Sequence, residues 1–153
     1  MREEKHYINS IYYQFELTAK YCKYLGSQLF HKLKCGLSLD EVVTLDTIAL
    51  YGEMCQRDIA KLILKDRPST GRILNSLEQK GFIERIADTK NNRLIRKIIL
   101  TDDGKIILSD ITSRLKEYMG KIPKIFSEEK ITDMKNTMSD FREILKKEVE
   151  INI

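Results

Sequence analysis

Gln56–Gly81 reads QRDIAKLILKDRPSTGRILNSLEQKG, and its spacing decides the fold. Ile59, Leu62 and Ile63 make an apolar stripe at helical spacing, and Ala60 is small enough for another helix to come close. Asp66 offers an N-cap carboxylate to a second helix. Pro68 falls in that helix's first turn, where a missing N–H costs nothing. Ile73, Leu74 and Leu77 recur at helical spacing and predict a buried face. Gly81 suits the residue just past the helix end, where left-handed backbone is favoured. The stretch therefore predicts two short helices across a tight turn.

The other face of the second helix is Arg67, Ser69, Thr70, Arg72, Asn75 and Ser76, with two cations and no acid. Short hydroxyl and amide side chains let a backbone approach phosphates and base edges. An Arg fork fits guanine O6 and N7, and an Asn amide fits adenine. On charge alone an ordinary solvated face explains these residues better. The next stretch changes the balance. Phe82–Ile86 and Leu94–Leu100 read as strands, with Asp88–Asn92 as a polar turn. A helix-turn-helix followed by a basic hairpin is a winged helix, whose wing would place Lys90 and Arg93 over an adjacent DNA backbone or minor groove. Asp88 is expected to brace Arg93 and the turn.

These residues resemble the MarR family of bacterial regulators. The resemblance rests on Asp58-Ile59-Ala60, Asp66-Arg67, Ser69, Arg72, Leu77-Glu78 and Lys80-Gly81-Phe82-Ile83-Glu84-Arg85. It continues through Asp88, Arg93, Leu100-Thr101 and Gly104-Lys105. The close match covers about a third of the chain, and the order and spacing of its motifs are more specific than any one of them. Lys90 stands where the family's wing has its first Arg. One extra residue between Arg93 and Leu100 points to a longer or bulged wing. The resemblance implies a homodimer whose interface is built from the first helix and the last two, and DNA binding that a signal loosens.

The chain has 153 residues and a formal charge of only +4. Residues 56–101 hold 11 Lys and Arg against 5 Asp and Glu, so +6, while 1–55 and 102–153 each carry −1. The basic excess lies where a phosphate-binding surface needs it. No apolar run approaches the roughly 20 residues of a membrane span, and MREEKHYINS lacks the apolar core of a signal peptide. A cytoplasmic location and no membrane partner are expected. Cys22, Cys35 and Cys55 lack metal-ligand spacing, and the only histidines are His6 and His31. Neither a zinc site nor a disulfide framework is expected, and no cofactor is implied.

Outside the central stretch the periodicity is helical. Residues 4–34 suit one long helix closed by Gly36, and Gly26 inside it marks a close crossing or a bend. Ser38 and Glu41 are spaced as a capping box, with Leu37 and Val42 as its hydrophobic staple. They start a helix to about Tyr51 with Val43, Leu45, Ile48 and Leu50 inward. Glu53–Cys55 suggests a very short strand pairing with the wing. Thr101 caps a helix to about Gly120, and Asp102 and Asp103 suit its positive end better than a catalytic pair. Pro123 breaks it, and Ser127 caps a last helix. The expected fold is mainly α (α+β). A winged helix-turn-helix over 37–101 lies between an N-terminal dimerisation helix, 1–36, and C-terminal dimerisation helices, 102–153.

The favoured reading is a regulator that binds a near-palindromic duplex as a homodimer, usually repressing. A small effector lodged near Tyr12, Tyr13 and Tyr21 would release it, although interface packing explains those rings as well. Two alternatives stay open. One is a redox-sensing regulator using Cys22, Cys35 or Cys55, of which the first two adjoin lysines. The other is a protein-binding adaptor. No Gly-rich phosphate loop, ligand cluster or nucleophile–base pair suggests an enzyme.

Overall fold

The computed structural model describes residues 6–90, 92–120 and 126–150. The chain divides into two compact units, Met1–Val43 and Thr44–Ile153.

In the first unit a single 3-10 turn, Tyr7–Asn9, leads into α1, Ile11–Leu33. Ser10 caps α1, its hydroxyl accepting from Tyr13 N–H at 3.2 Å. The helix is shorter than the predicted 4–34 because this cap fixes its start. Its end also differs from expectation: Lys34 takes the left-handed conformation, φ 48°, and Gly36 follows at φ 72°. Only Leu29 and Phe30 of α1 are buried. The expected capping box forms in full, with Ser38 Oγ accepting from Glu41 N–H at 3.2 Å and Glu41 Oε2 accepting from Ser38 N–H at 2.7 Å. Leu37 and Val42 are buried, as a staple requires. A Cβ on Gly26 would lie 3.0 Å from Leu39 Cδ2, so the glycine marks a close approach to the start of the next helix.

That helix, α2, runs Leu39–Tyr51. Leu45 and Ile48 are buried as predicted, but Val43 is 43% exposed and Leu50 75%. Those two are seven residues apart and share one stripe, and a helix with one covered face cannot bury both stripes.

In the second unit β1, Met54–Cys55, is followed by α3, Gln56–Leu62, and α4, Arg67–Gln79. β2, Ile83–Lys90, and β3, Arg93–Leu100, form the hairpin. The sheet order is β1-β3-β2, all antiparallel. The β2–β3 register runs unbroken from Ile83↔Leu100 to Lys90↔Arg93. The extra residue thus lengthens the wing without bulging it, and the strands extend past the predicted turn to leave a two-residue loop. Asn92 in that loop has φ 56°, as tight hairpin turns demand.

Ile59, Ala60, Leu74, Leu77, Ile83, Ile98 and Ile111 are essentially inaccessible and form the core of this unit. Leu62, predicted on the buried stripe, is 46% exposed, because α3 ends there and Ile63 has left helical geometry. α5, Asp102–Met119, opens on Thr101, whose hydroxyl accepts from Gly104 N–H at 3.0 Å and donates to Gly81 O at 2.6 Å. Asp102 and Asp103 occupy its first turn. Asp102 pairs with Lys105 at 2.9 Å, which holds its carboxyl below the usual range. α6, Glu128–Glu148, is capped by Ser127 and has no buried residue. Pro123 lies outside the described residues.

Candidate nucleic-acid interface

The tight turn and α4 position the candidate residues. Asp66 caps α4, its Oδ1 accepting from Ser69 N–H at 2.7 Å, and Pro68 sits in the first turn. At the other end Phe82 N–H donates to Leu77 O and Gly81 N–H to Glu78 O, with Gly81 at φ 76°. This is the Schellman closure that the glycine anticipated. Leu74 and Leu77 anchor the inner face. Gly71 allows the close packing of α3 on α4: a Cβ there would lie 3.1 Å from Gln56 Nε2, which donates to Arg67 O at 3.1 Å.

Arg67, Arg72 and Asn75 are exposed, and Ser69 and Ser76 are half-buried. Thr70 is a correction. It is fully buried and its hydroxyl donates to Asp66 O at 2.9 Å, so it closes the turn from inside and presents nothing outward. Four residues from the cap, an α4 side chain faces back over the first turn, and here that direction is the core.

Ser69, Arg72 and Asp66 form a relay. Arg72 Nη2 donates to Ser69 Oγ at 2.8 Å, and Ser69 Oγ donates to Asp66 Oδ2 at 2.8 Å. The Ser69 amide and hydroxyl, with Arg72's charge nearby, hold the Asp66 carboxyl below its ordinary range. The relay restrains the Arg72 side chain before any ligand arrives, lowering the entropy cost of ordering it.

Asn75 is also engaged. Arg85 of β2 donates Nη2 to Asn75 Oδ1 at 2.7 Å and Nη1 to Glu78. Arg85 thereby neutralises Glu78, an acid on the exposed side of the helix that would otherwise repel a phosphate.

Backbone pairing puts Lys90 and Arg93 opposite each other at the hairpin tip. Asp88 braces the hairpin through Lys97, while the side chain of Arg93, the expected partner, lies outside the described residues. Asp88 Oδ2 pairs with Lys97 Nζ at 2.6 Å and its Oδ1 accepts from Thr89 N–H at 2.8 Å. Lys97 also reaches Glu53, just before β1, at 3.4 Å, tying the entry to β1 to β2 and β3. Lys97 lowers the Asp88 carboxyl, and Asp88, with Glu53, raises the Lys97 ammonium. Sequence reasoning missed Gln56, Arg85 and Lys97. Their partners lie 11, 10 and 9 residues away, so only the register and the turn reveal them.

Tyr12 and Tyr21 are exposed, and Tyr13 meets Tyr7 edge-on at 5.8 Å. A cavity of about 680 Å³ in the first unit is lined instead by Lys23, Phe30, His31, Lys34 and Leu37, among others, and by none of those three rings. Cys22 is exposed. Cys35 donates to Leu37 O at 3.7 Å and Cys55 to Asp58 Oδ2 at 3.1 Å. Among the described residues no His, Cys, Asp or Glu group could hold a metal ion, and no helix is long and apolar enough to cross a membrane.

A short helix, a tight turn, a second helix capped by Asp66 and closed by a Schellman motif, and an antiparallel hairpin define a winged helix-turn-helix protein. Residues 37–95 match the model of the MarR family. The same fold recurs in solved structures. The Staphylococcus aureus MepR–DNA complex is 23% identical, with a TM-score of 0.72, over 92% of this chain and 99% of that one. The transcriptional regulator SlyA is 23% identical with a TM-score of 0.74, over 91% and 96% of the two chains. A MarR family transcriptional regulator from Silicibacter pomeroyi is 19% identical with a TM-score of 0.75, over 96% and 97%.

Proposed function

We propose that this protein is a homodimeric DNA-binding transcription regulator that represses by covering a near-palindromic operator. The observation that carries the reading is the exposed α4 face. Arg67, Arg72 and Asn75 stand on a helix beside a long hairpin, inside the segment that holds the chain's basic excess. The MepR structure of the same fold is a DNA complex, and its likeness supports the reading. Two-fold pairing would set two α4 helices into successive major grooves about one helical turn apart. Arg72 and Asn75 would meet base edges, with Arg67, Ser69 and Ser76 on or near the backbone. Lys90 and Arg93 would hold the flanking minor groove or its phosphates.

An effector changes DNA affinity only by binding the two dimer geometries unequally. We assign a small anionic effector to the cavity rimmed by Lys23, His31 and Lys34. In this reading residues 1–36 and 102–153 would form the dimer and residues 37–101 would read DNA.

Selection of bound duplexes from a random pool, at two salt concentrations, tests the proposal. The expected result is an inverted repeat with half-sites about 10–10.5 base pairs apart and affinity that falls steeply with salt. No enrichment at either salt would replace DNA with a protein partner for the same face.

A further inference from the structure

Arg85 decides which atoms of Asn75 are left to read a base. A guanidinium carries only donors, so the amide atom 2.7 Å from Arg85 Nη2 must be the oxygen. The contact therefore settles the amide's orientation chemically. Glu78 holds Arg85 from the other side, and the Arg85 side chain is only 16% exposed, so the clamp is built into the fold. Among the described residues the Asn75 Nδ2 donors have no hydrogen-bond partner.

Bidentate recognition of adenine needs both amide atoms: the oxygen accepts from N6–H and the nitrogen donates to N7. An oxygen already bonded to a cation is a poorer second acceptor. Polarisation through the amide makes its N–H groups better donors. Adenine would also bring its N6 protons toward the Arg85 protons, donor against donor. In the major groove guanine and thymine present a keto oxygen, O6 or O4, where adenine and cytosine present an amino group.

We propose that Arg85 is a specificity-setting positioning residue: by holding Asn75 Oδ1 it makes Asn75 a donor-only reader, which selects a keto base and rejects adenine. This rests on the reading of α4 as the DNA-contacting helix.

The test repeats the duplex selection with the wild type, Asn75→Ala and Arg85→Met. In the wild type one position per half-site should favour guanine or thymine over adenine and cytosine by about tenfold. Asn75→Ala should flatten that position alone. Arg85→Met frees the oxygen and should raise adenine there, a change of base preference that mere loss of stability does not produce. Adenine at the position that Asn75→Ala flattens overturns the proposal, as does an Asn75→Ala variant that flattens nothing. An Arg85→Met profile identical to the wild type removes Arg85's role. The wild-type and Asn75→Ala pair decides keto against amino even if Arg85→Met fails to fold. A wild type that enriches no duplex removes the DNA-binding reading itself, whereas enrichment with adenine removes only this proposal.

Discussion

Arg72 reaches outward from a hydrogen-bonded relay, Arg72–Ser69–Asp66, while its neighbour Thr70 turns inward to Asp66 O. Two polar side chains two residues apart on one helix thus have opposite fates. Arg72→Ala is expected to weaken operator binding by about 1–3 kcal/mol and to relax one base pair if its fork meets guanine. Thr70→Val should leave affinity for the folded protein unchanged, because the hydroxyl closes a turn and meets no ligand. Fluorescence titration of both variants with the selected duplex checks this. Parent-like binding by Arg72→Ala would remove that residue from the interface. From sequence, Ser69 and Thr70 are indistinguishable short hydroxyl residues. Helical phase relative to the core separates them, and the phase is set by where Leu74 and Leu77 bury.

Among the elements, the joint between the wing and α5 is the most constrained. Phe82 O accepts from Thr101 N–H at 3.1 Å, and a Cβ on Gly104 would lie only 2.0 Å from that same oxygen. Gly→Ala inside a helix ordinarily gains up to about 1 kcal/mol from propensity. Here the clash is with backbone, which cannot rotate away as a side chain can, and overpacking of this kind costs about 1–3 kcal/mol or more. Gly104→Ala is therefore expected to lower the thermal midpoint, read by circular dichroism, despite the better helix former. An unchanged or raised midpoint would mean that α5 slides without cost. The glycine was legible as part of a family motif, but its reason was not, since Phe82 is 22 residues away along the chain. The wing shows the same division. Its existence followed from the period-two pattern, whereas its unbroken pairing to Lys90↔Arg93 and the Glu53–Lys97–Asp88 brace needed the register.

At the scale of the whole molecule, the winged unit has a closed core and the terminal helices do not. α6 buries nothing, and Met134, Ile144 and Val149 stand exposed along it. α1 exposes Ile11, Tyr12, Tyr21 and Tyr24. Apolar stripes of this length are stable in water only when a partner covers them, and a second copy is the economical cover. Sedimentation velocity at micromolar concentration is expected to give twice the 17.9 kDa chain mass. A species at the single-chain mass would sink both the dimer and the paired-groove geometry.

The amino-acid sequence by itself determined the winged helix-turn-helix, its caps and its closing glycine, because capping, turn chemistry and hydrophobic period are local and act within a few residues. It also placed the basic excess on that unit. Tertiary structure alone decided which outward side chains are available: Thr70 buried, Asn75 clamped by Arg85, Asp88 engaged with Lys97. Those fates depend on contacts between residues distant along the chain, and no local rule encodes the phase at which separate elements meet.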